Sequence, residues 1–112
     1  MDLTKPLDAD PLMFVHAVYF WLRPDLTDEE RDTFVRGARS LTTIDLVRHG
    51  HLGVPAATNR PVIDRSYSYA LTLIFDDAAG QDAYQPHPVH RKFVEECGSL
   101  WSRVVIYDSE AI

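Results

Sequence analysis

The chain is short of cysteine, of basic residues and of uninterrupted apolar sequence, and each shortage removes a class of protein. Its single cysteine, Cys97, excludes an intramolecular disulfide and any zinc site built on thiolates, and it fits a reducing compartment. Lysine and arginine number 11 against 17 aspartates and glutamates, for a formal charge of −6. That is the wrong sign for a surface that neutralises phosphates, so nucleic acid is not an expected partner. The longest apolar run, Leu12 to Leu22, is interrupted by His16 and is far too short to span a bilayer, so no membrane role is expected. The first residues lack the basic and then apolar blocks of a secretory signal, and the chain is read as cytoplasmic. There is no Gly-rich phosphate loop, nucleotide fingerprint, Ser-His-Asp arrangement, internal repeat or low-complexity segment.

What is present is ordinary globular composition: 112 residues, 46% hydrophobic and 25% charged, enough for one domain around one modest core. Met1 to Pro11 alternate charged, small and proline residues without a period and are expected to be a mobile leader, with the domain occupying residues 12–112. Met13 to Arg23 is rich in β-branched and aromatic residues and stops at Pro24, which predicts a strand. Its alternation places Phe14, His16, Val18, Phe20 and Leu22 on one face and Val15, Ala17, Tyr19 and Trp21 on the other. Thr27 followed by Glu30 forms a capping box, so a helix is expected from Asp28 to about Leu41, with Phe34, Ala38 and Leu41 on its apolar face. Ile44 to Val54 reads as a second strand and Pro55 to Arg65 as a loop. Ser66 to Phe75 is a third strand, with Tyr67, Tyr69, Leu71, Leu73 and Phe75 on one face. A helix follows to about Tyr84, broken by Pro86 and Pro88, and a short helix resumes over His90 to Cys97. Trp101 to Tyr107 closes the chain as a strand.

The order β-α-β-β-α-β is the split βαβ pattern of an α+β, ferredoxin-like sandwich: a four-stranded antiparallel sheet with helices on one face. Its other face would carry Val15, Ala17, Tyr19, Trp21, Ala70 and Ile74, too apolar for a solvated surface. A second copy of the same sheet is the economical cover, giving a homodimer in which two sheets meet as a dimeric α/β barrel.

The residues able to do chemistry cluster late in the chain. A histidine near its ordinary pKa takes a proton from a carbon beside a carbonyl, and a neighbouring tyrosine hydroxyl fixes its tautomer or polarises the carbonyl. Tyr84 and His90 are candidates for that pair, with contact depending on the turn between them. The plainer alternative is that His87 and His90 cap or bridge the helix break and Pro88 fixes the turn. His16 is the odd residue on an apolar face: it either lines a pocket with Tyr69, Tyr84 and His90 or is a core histidine bonded to a carbonyl. Tyr67 and Tyr69 can equally be core packing. His49 with His51, and His87 with His90, have spacings that supply two imidazoles each but no third ligand, so no metal or other cofactor is expected. Asp64-Arg65 reads as a loop ion pair, a dimer contact or a gate at the pocket mouth, and Cys97 and Trp101 as core.

The strand Phe14-Val15-His16-Ala17-Val18, the segment Arg60 to Tyr67, and above all Tyr84-x-x-His87-Pro88-x-His90-x-x-Phe93 resemble the stress-responsive dimeric α/β barrel (Dabb) family over roughly Phe14 to Asp108. The resemblance implies the dimeric ferredoxin-like barrel and no single reaction. Members of the olivetolic acid cyclase type close a linear polyketide by an intramolecular aldol condensation without a metal. Their Tyr–His pair is similar to Tyr84 and His90 here, and their first-strand histidine to His16. Two positions depart, Tyr69 standing for a third-strand histidine and Ala38 for a tyrosine of the first helix. The resulting expectation is a small, largely apolar pocket for a ketone-bearing or aromatic molecule. His90 would be the general base, Tyr84 would orient it, and His16, Tyr69 and His87 would bind substrate. A non-catalytic stress-associated or ligand-binding homodimer and a cofactor-free monooxygenase are the alternatives.

Overall fold

The computed structural model describes residues 13–112, so the expectation for Met1 to Pro11 lies outside the described residues. Seven elements follow one another: β1 (Phe14–Leu22), α1 (Asp28–Leu41), β2 (His49–Gly53), β3 (Tyr69–Phe75), α2 (Ala78–Tyr84), α3 (Pro88–Cys97) and β4 (Trp101–Glu110). The strands form one sheet in the order β2-β3-β1-β4, with every neighbouring pair antiparallel. This is the α+β, ferredoxin-like arrangement expected from the sequence. No helix among the described residues is long and apolar enough to cross a membrane.

β1 is central, and its two faces part as the alternation requires. Phe14, His16, Val18, Phe20 and Leu22 are buried, and Val15, Ala17, Tyr19 and Trp21 are half-buried. On the buried side Phe20, Phe34, Phe93 and Trp101 interlock, with ring centroids 5.0 Å (Phe20–Phe34), 5.9 Å (Phe34–Phe93) and 5.6 Å (Phe93–Trp101) apart. Leu71, Leu73 and Phe75 of β3 complete the floor of this core. α1 begins where its capping box sets it: Glu30 N donates to Thr27 Oγ1 and Thr27 N to Glu30 Oε1, at 3.1 and 3.0 Å.

The element limits differ from the sequence reading in four places. The β-branched run from Ile44 does not pair until His49. Its first residues instead close turns off the end of α1 (Thr43 N to Ser40 O, Val47 N to Ile44 O), with Ile44 drawn into the core. β3 pairs from Tyr69 rather than Ser66, and Tyr67 turns to the opposite side, packing on Tyr19 at 5.0 Å between centroids. α3 starts at Pro88 rather than His90, because proline suits the first helical turn, where no N–H is needed, and His87 supplies the cap. β4 runs on to Glu110, three residues past the expected end, because the long β1 offers it partners that far.

Asp64 and Arg65 form no ion pair with each other. The Asp64 carboxylate accepts from Ser66 N at 2.8 Å, and the Ser66 hydroxyl together with that N–H holds it below the usual carboxylate range.

Phe34 is wholly buried among aromatic rings, so Phe34→Ala is expected to cost about 3–5 kcal/mol in urea unfolding. Thr27→Ala removes one side of the capping box and is expected to cost only about 1 kcal/mol. A Phe34→Ala loss no larger than that of Thr27→Ala would contradict this description of the core.

Candidate functional site

Three of the proton-carrying side chains picked out in the sequence meet at one cavity of about 230 Å³ between the sheet and α3. His16 reaches it from β1, Tyr84 from the last turn of α2 and His90 from the first turn of α3. The Tyr84 ring packs on both imidazoles, 6.0 Å from His16 and 4.7 Å from His90 by ring centroids. The break in the helix produces this arrangement. Gln85 ends α2, His87 N donates to Tyr84 O at 3.1 Å, and Pro88 restarts the helix, so two residues six apart in sequence face each other. Apart from Gln85 the rest of the cavity wall is apolar, with Phe20, Leu71 and Phe93 buried, Trp101 half-buried and Val104 and Ile106 exposed on the β4 side.

Both imidazoles are held by the same ring atom. His90 Nδ1 lies 2.9 Å from Gln85 O. A carbonyl only accepts, so the proton sits on Nδ1 and Nε2 keeps its lone pair. Burial pushes the His90 pKa down, the Gln85 bond opposes that, and His16 adds to the lowering. The imidazole is therefore neutral at neutral pH. His16 is buried within β1, and its Nδ1 lies 2.6 Å from Oδ1 of Asp108, the residue directly opposite it on β4. A carboxylate accepting from Nδ1–H leaves the Nε2 of His16 as its second functional atom too.

Burial raises the Tyr84 pKa well above that of a free phenol, so Tyr84 is a hydroxyl donor and not a phenolate. Among the described residues no buried side-chain oxygen lacks a partner. The Tyr84 hydroxyl makes no hydrogen bond to another described residue, and Tyr84 lines the cavity.

Two residues expected at this site lie elsewhere. Tyr69 is on the helix-facing side, but its ring packs 5.3 Å from Phe34 and does not line the cavity. His87 caps α3, its Nδ1 accepting from Val89 N at 3.1 Å, and it does not line the cavity. His87 thus caps the helix break, and His90, through Gln85 O, bridges it while its ring also packs on Tyr84. Ala38 is buried core.

Asp108 and Gln85 escaped the sequence reading. The only signal for Asp108 was indirect: a histidine inside an apolar strand needs an acceptor, and sequence alone does not give the register that supplies it.

No group of three His, Cys, Asp or Glu side chains capable of holding a metal occurs among the described residues. His49 and His51 are exposed on the edge strand β2. Cys97 is buried, and its thiol pKa is raised by that burial and by Glu96, the opposite of an activated nucleophile.

Comparison with solved structures supports the fold. The hydroxynitrile lyase of Passiflora edulis superposes with a TM-score of 0.74 at 17% identity, covering 89% of this chain and 94% of that one. A Dabb family protein with a ferredoxin-like fold from Mesorhizobium loti gives 0.72 at 25% identity, covering 90% and 98%. A dimeric ferredoxin-like protein of unknown function from Thermobifida fusca gives 0.72 at 18% identity, covering 88% and 91%. No curated protein matches the chain in sequence. The model of the stress-responsive A/B barrel domain matches residues 14–111, nearly the whole of the described structure, and the chain therefore belongs to the stress-responsive A/B barrel (Dabb) domain family.

Proposed function

We propose that the protein is a metal-independent proton-transfer enzyme acting on a small ketone-bearing or aromatic molecule, of the kind that carries out an aldol closure or its reverse. The observation that carries this reading is the convergence of His16, Tyr84 and His90 on one cavity, with both imidazoles anchored through Nδ1. His90 Nε2 takes the proton from the carbon beside a carbonyl. The neutral Tyr84 hydroxyl donates to the carbonyl oxygen as it becomes an enolate. In an aldol step that carbon then bonds to a second carbonyl carbon of the same molecule, and the resulting alkoxide takes back the proton held by His90.

His16 accepts from a substrate hydroxyl through Nε2, and Asp108, bonded to Nδ1, positions its ring. Among the described residues the cavity wall holds neither Lys nor Arg, so an uncharged ligand suits it better than a free carboxylate.

The protein acts as a homodimer joined through the sheet face opposite the helices. Val15, Ala17, Tyr19 and Trp21 are left only half-buried there, beside an exposed Tyr107. Solved relatives from Thermobifida fusca and Bacteroides fragilis are described as dimeric. Light scattering is expected to give twice the 12.8 kDa chain mass. Ala17→Asp, at the centre of that face, is expected to halve this mass while retaining helical circular dichroism. A monomeric wild type would remove the dimer.

Deuterium uptake at the methyl carbon of acetophenone in D₂O tests the chemistry. His90→Ala is expected to slow it by about 10²-fold or more and Tyr84→Phe by roughly tenfold, with the fold intact. Uptake unchanged by His90→Ala would end the general-base assignment. Saturable binding with no exchange in the wild type would favour the non-catalytic ligand-binding dimer, and oxygen consumption would favour a monooxygenase.

The pH dependence has a definite sign. The native pKa of His90 lies below its unfolded value of 6.5, so the exchange rate is expected to hold as pH falls through 6.5 and to drop only below it. In the same window the unfolded chain binds more protons than the native one, so stability falls as pH falls from about 6.5 toward the native pKa. His90→Gln is expected to flatten that slope in urea titrations at pH 5 to 7.

A further inference from the structure

The seam between α1 and α3 contains a second cavity, a cleft of about 330 Å³ whose wall includes no strand residue. Among the described residues buried Phe93 is the one side chain it shares with the His16 cavity, and so it acts as the partition between them. Arg36 and Ser40 line the cleft from α1 and Lys92 and Glu96 from α3, spacings that keep each pair on one face of its helix.

The charge here runs against that of the whole chain. Two cations and one acid face the cleft in a protein whose formal charge is −6. Arg36 reaches no carboxylate among the described residues, only the Thr33 hydroxyl at 3.5 Å. Lys92 has Glu96 at 4.0 Å, and both are well exposed, so this is a weak pair.

The remaining polar atoms are of one kind. The Thr33, Ser40 and Thr43 hydroxyls donate to Glu29 O, Gly37 O and Ser40 O at 3.0, 2.6 and 2.6 Å, which leaves them as acceptors. The floor is apolar. Gly37 has no Cβ over it, and one there would meet Phe93 Cδ1 and Cys97 Sγ at 3.0 Å. The Phe93 ring is thus packed directly under the bare backbone of α1.

We propose that this cleft binds a small aromatic carboxylate. The carboxylate lies between the Arg36 and Lys92 head groups, which suit it as charge-assisted donors. The ring lies over Phe93 and the Gly37 backbone, and a ring hydroxyl or amine finds the Ser40 and Thr43 oxygens. A simple inorganic anion would leave the apolar floor unused, and a neutral arene would leave the two cations unused. The site is separate from the proposed reaction centre and does not depend on that function.

Titration of the ¹⁵N-labelled full chain with benzoate, with acetate and benzamide as controls, tests the proposal. Benzoate is expected to shift the Thr33, Ser40 and Val89 amides saturably, with acetate and benzamide each roughly tenfold weaker. The double substitution Arg36→Gln, Lys92→Gln is expected to weaken benzoate by a similar factor and to leave acetophenone exchange unchanged, since neither residue lines the His16 cavity. Equal responses to benzoate and either control would overturn the assignment. So would binding unaffected by the double substitution, or shifts centred on His16 and His90.

Discussion

An imidazole in the middle of an apolar strand must be given a partner, and much of the site follows from how this fold supplies one. His16 sits on the buried face of the central strand, where an unpaired polar ring would cost more than a strand of this length could readily offset. The antiparallel register of β1 with β4 sets Asp108 directly opposite, and the 2.6 Å contact satisfies Nδ1. A slip of one residue would send the aspartate to the other face and leave the histidine without an acceptor. The apolar alternation of β1 therefore fixes both the core and the orientation of a proton-carrying group within it.

The second constraint is the interruption between α2 and α3. A continuous helix would place residues six apart on different faces, and Tyr84 and His90 would not meet. Pro86 and Pro88 forbid that helix, His87 starts a new one, and the carbonyl of Gln85, released from helical bonding, captures His90 Nδ1. One break thus creates the contact and selects the tautomer. Burial then sets the protonation states, leaving His90 neutral and Tyr84 a phenol at neutral pH.

The two cavities illustrate how one core residue divides a small domain. Phe93 closes the inner side of the His16 cavity and the floor of the α1/α3 cleft. The first offers bases and a phenol in an uncharged apolar setting, and the second offers cations above an apolar floor. Their ligands would therefore differ in charge, a consequence of which face of α3 each residue occupies.

The sequence by itself determined what depends on neighbours along the chain. The alternation of β1, the capping box at Thr27, the helix break at Pro86 and Pro88 and the β-α-β-β-α-β order are all local patterns, and the structure keeps them. The prolines between Tyr84 and His90 marked the helix break, but the pairing of the two was suggested by the family resemblance, because their contact depends on the turn. Tertiary structure alone decided the rest. Ile44 to Val47 have strand composition, yet they close turns after α1 because the core takes Ile44 there. Tyr67 and Tyr69 share a parity, but pairing begins only at Tyr69, so Tyr67 crosses to the opposite face while Tyr69 is drawn onto Phe34. Asp108 stands 92 residues from His16, and only strand register, a property of hydrogen bonds between distant segments, brings them together.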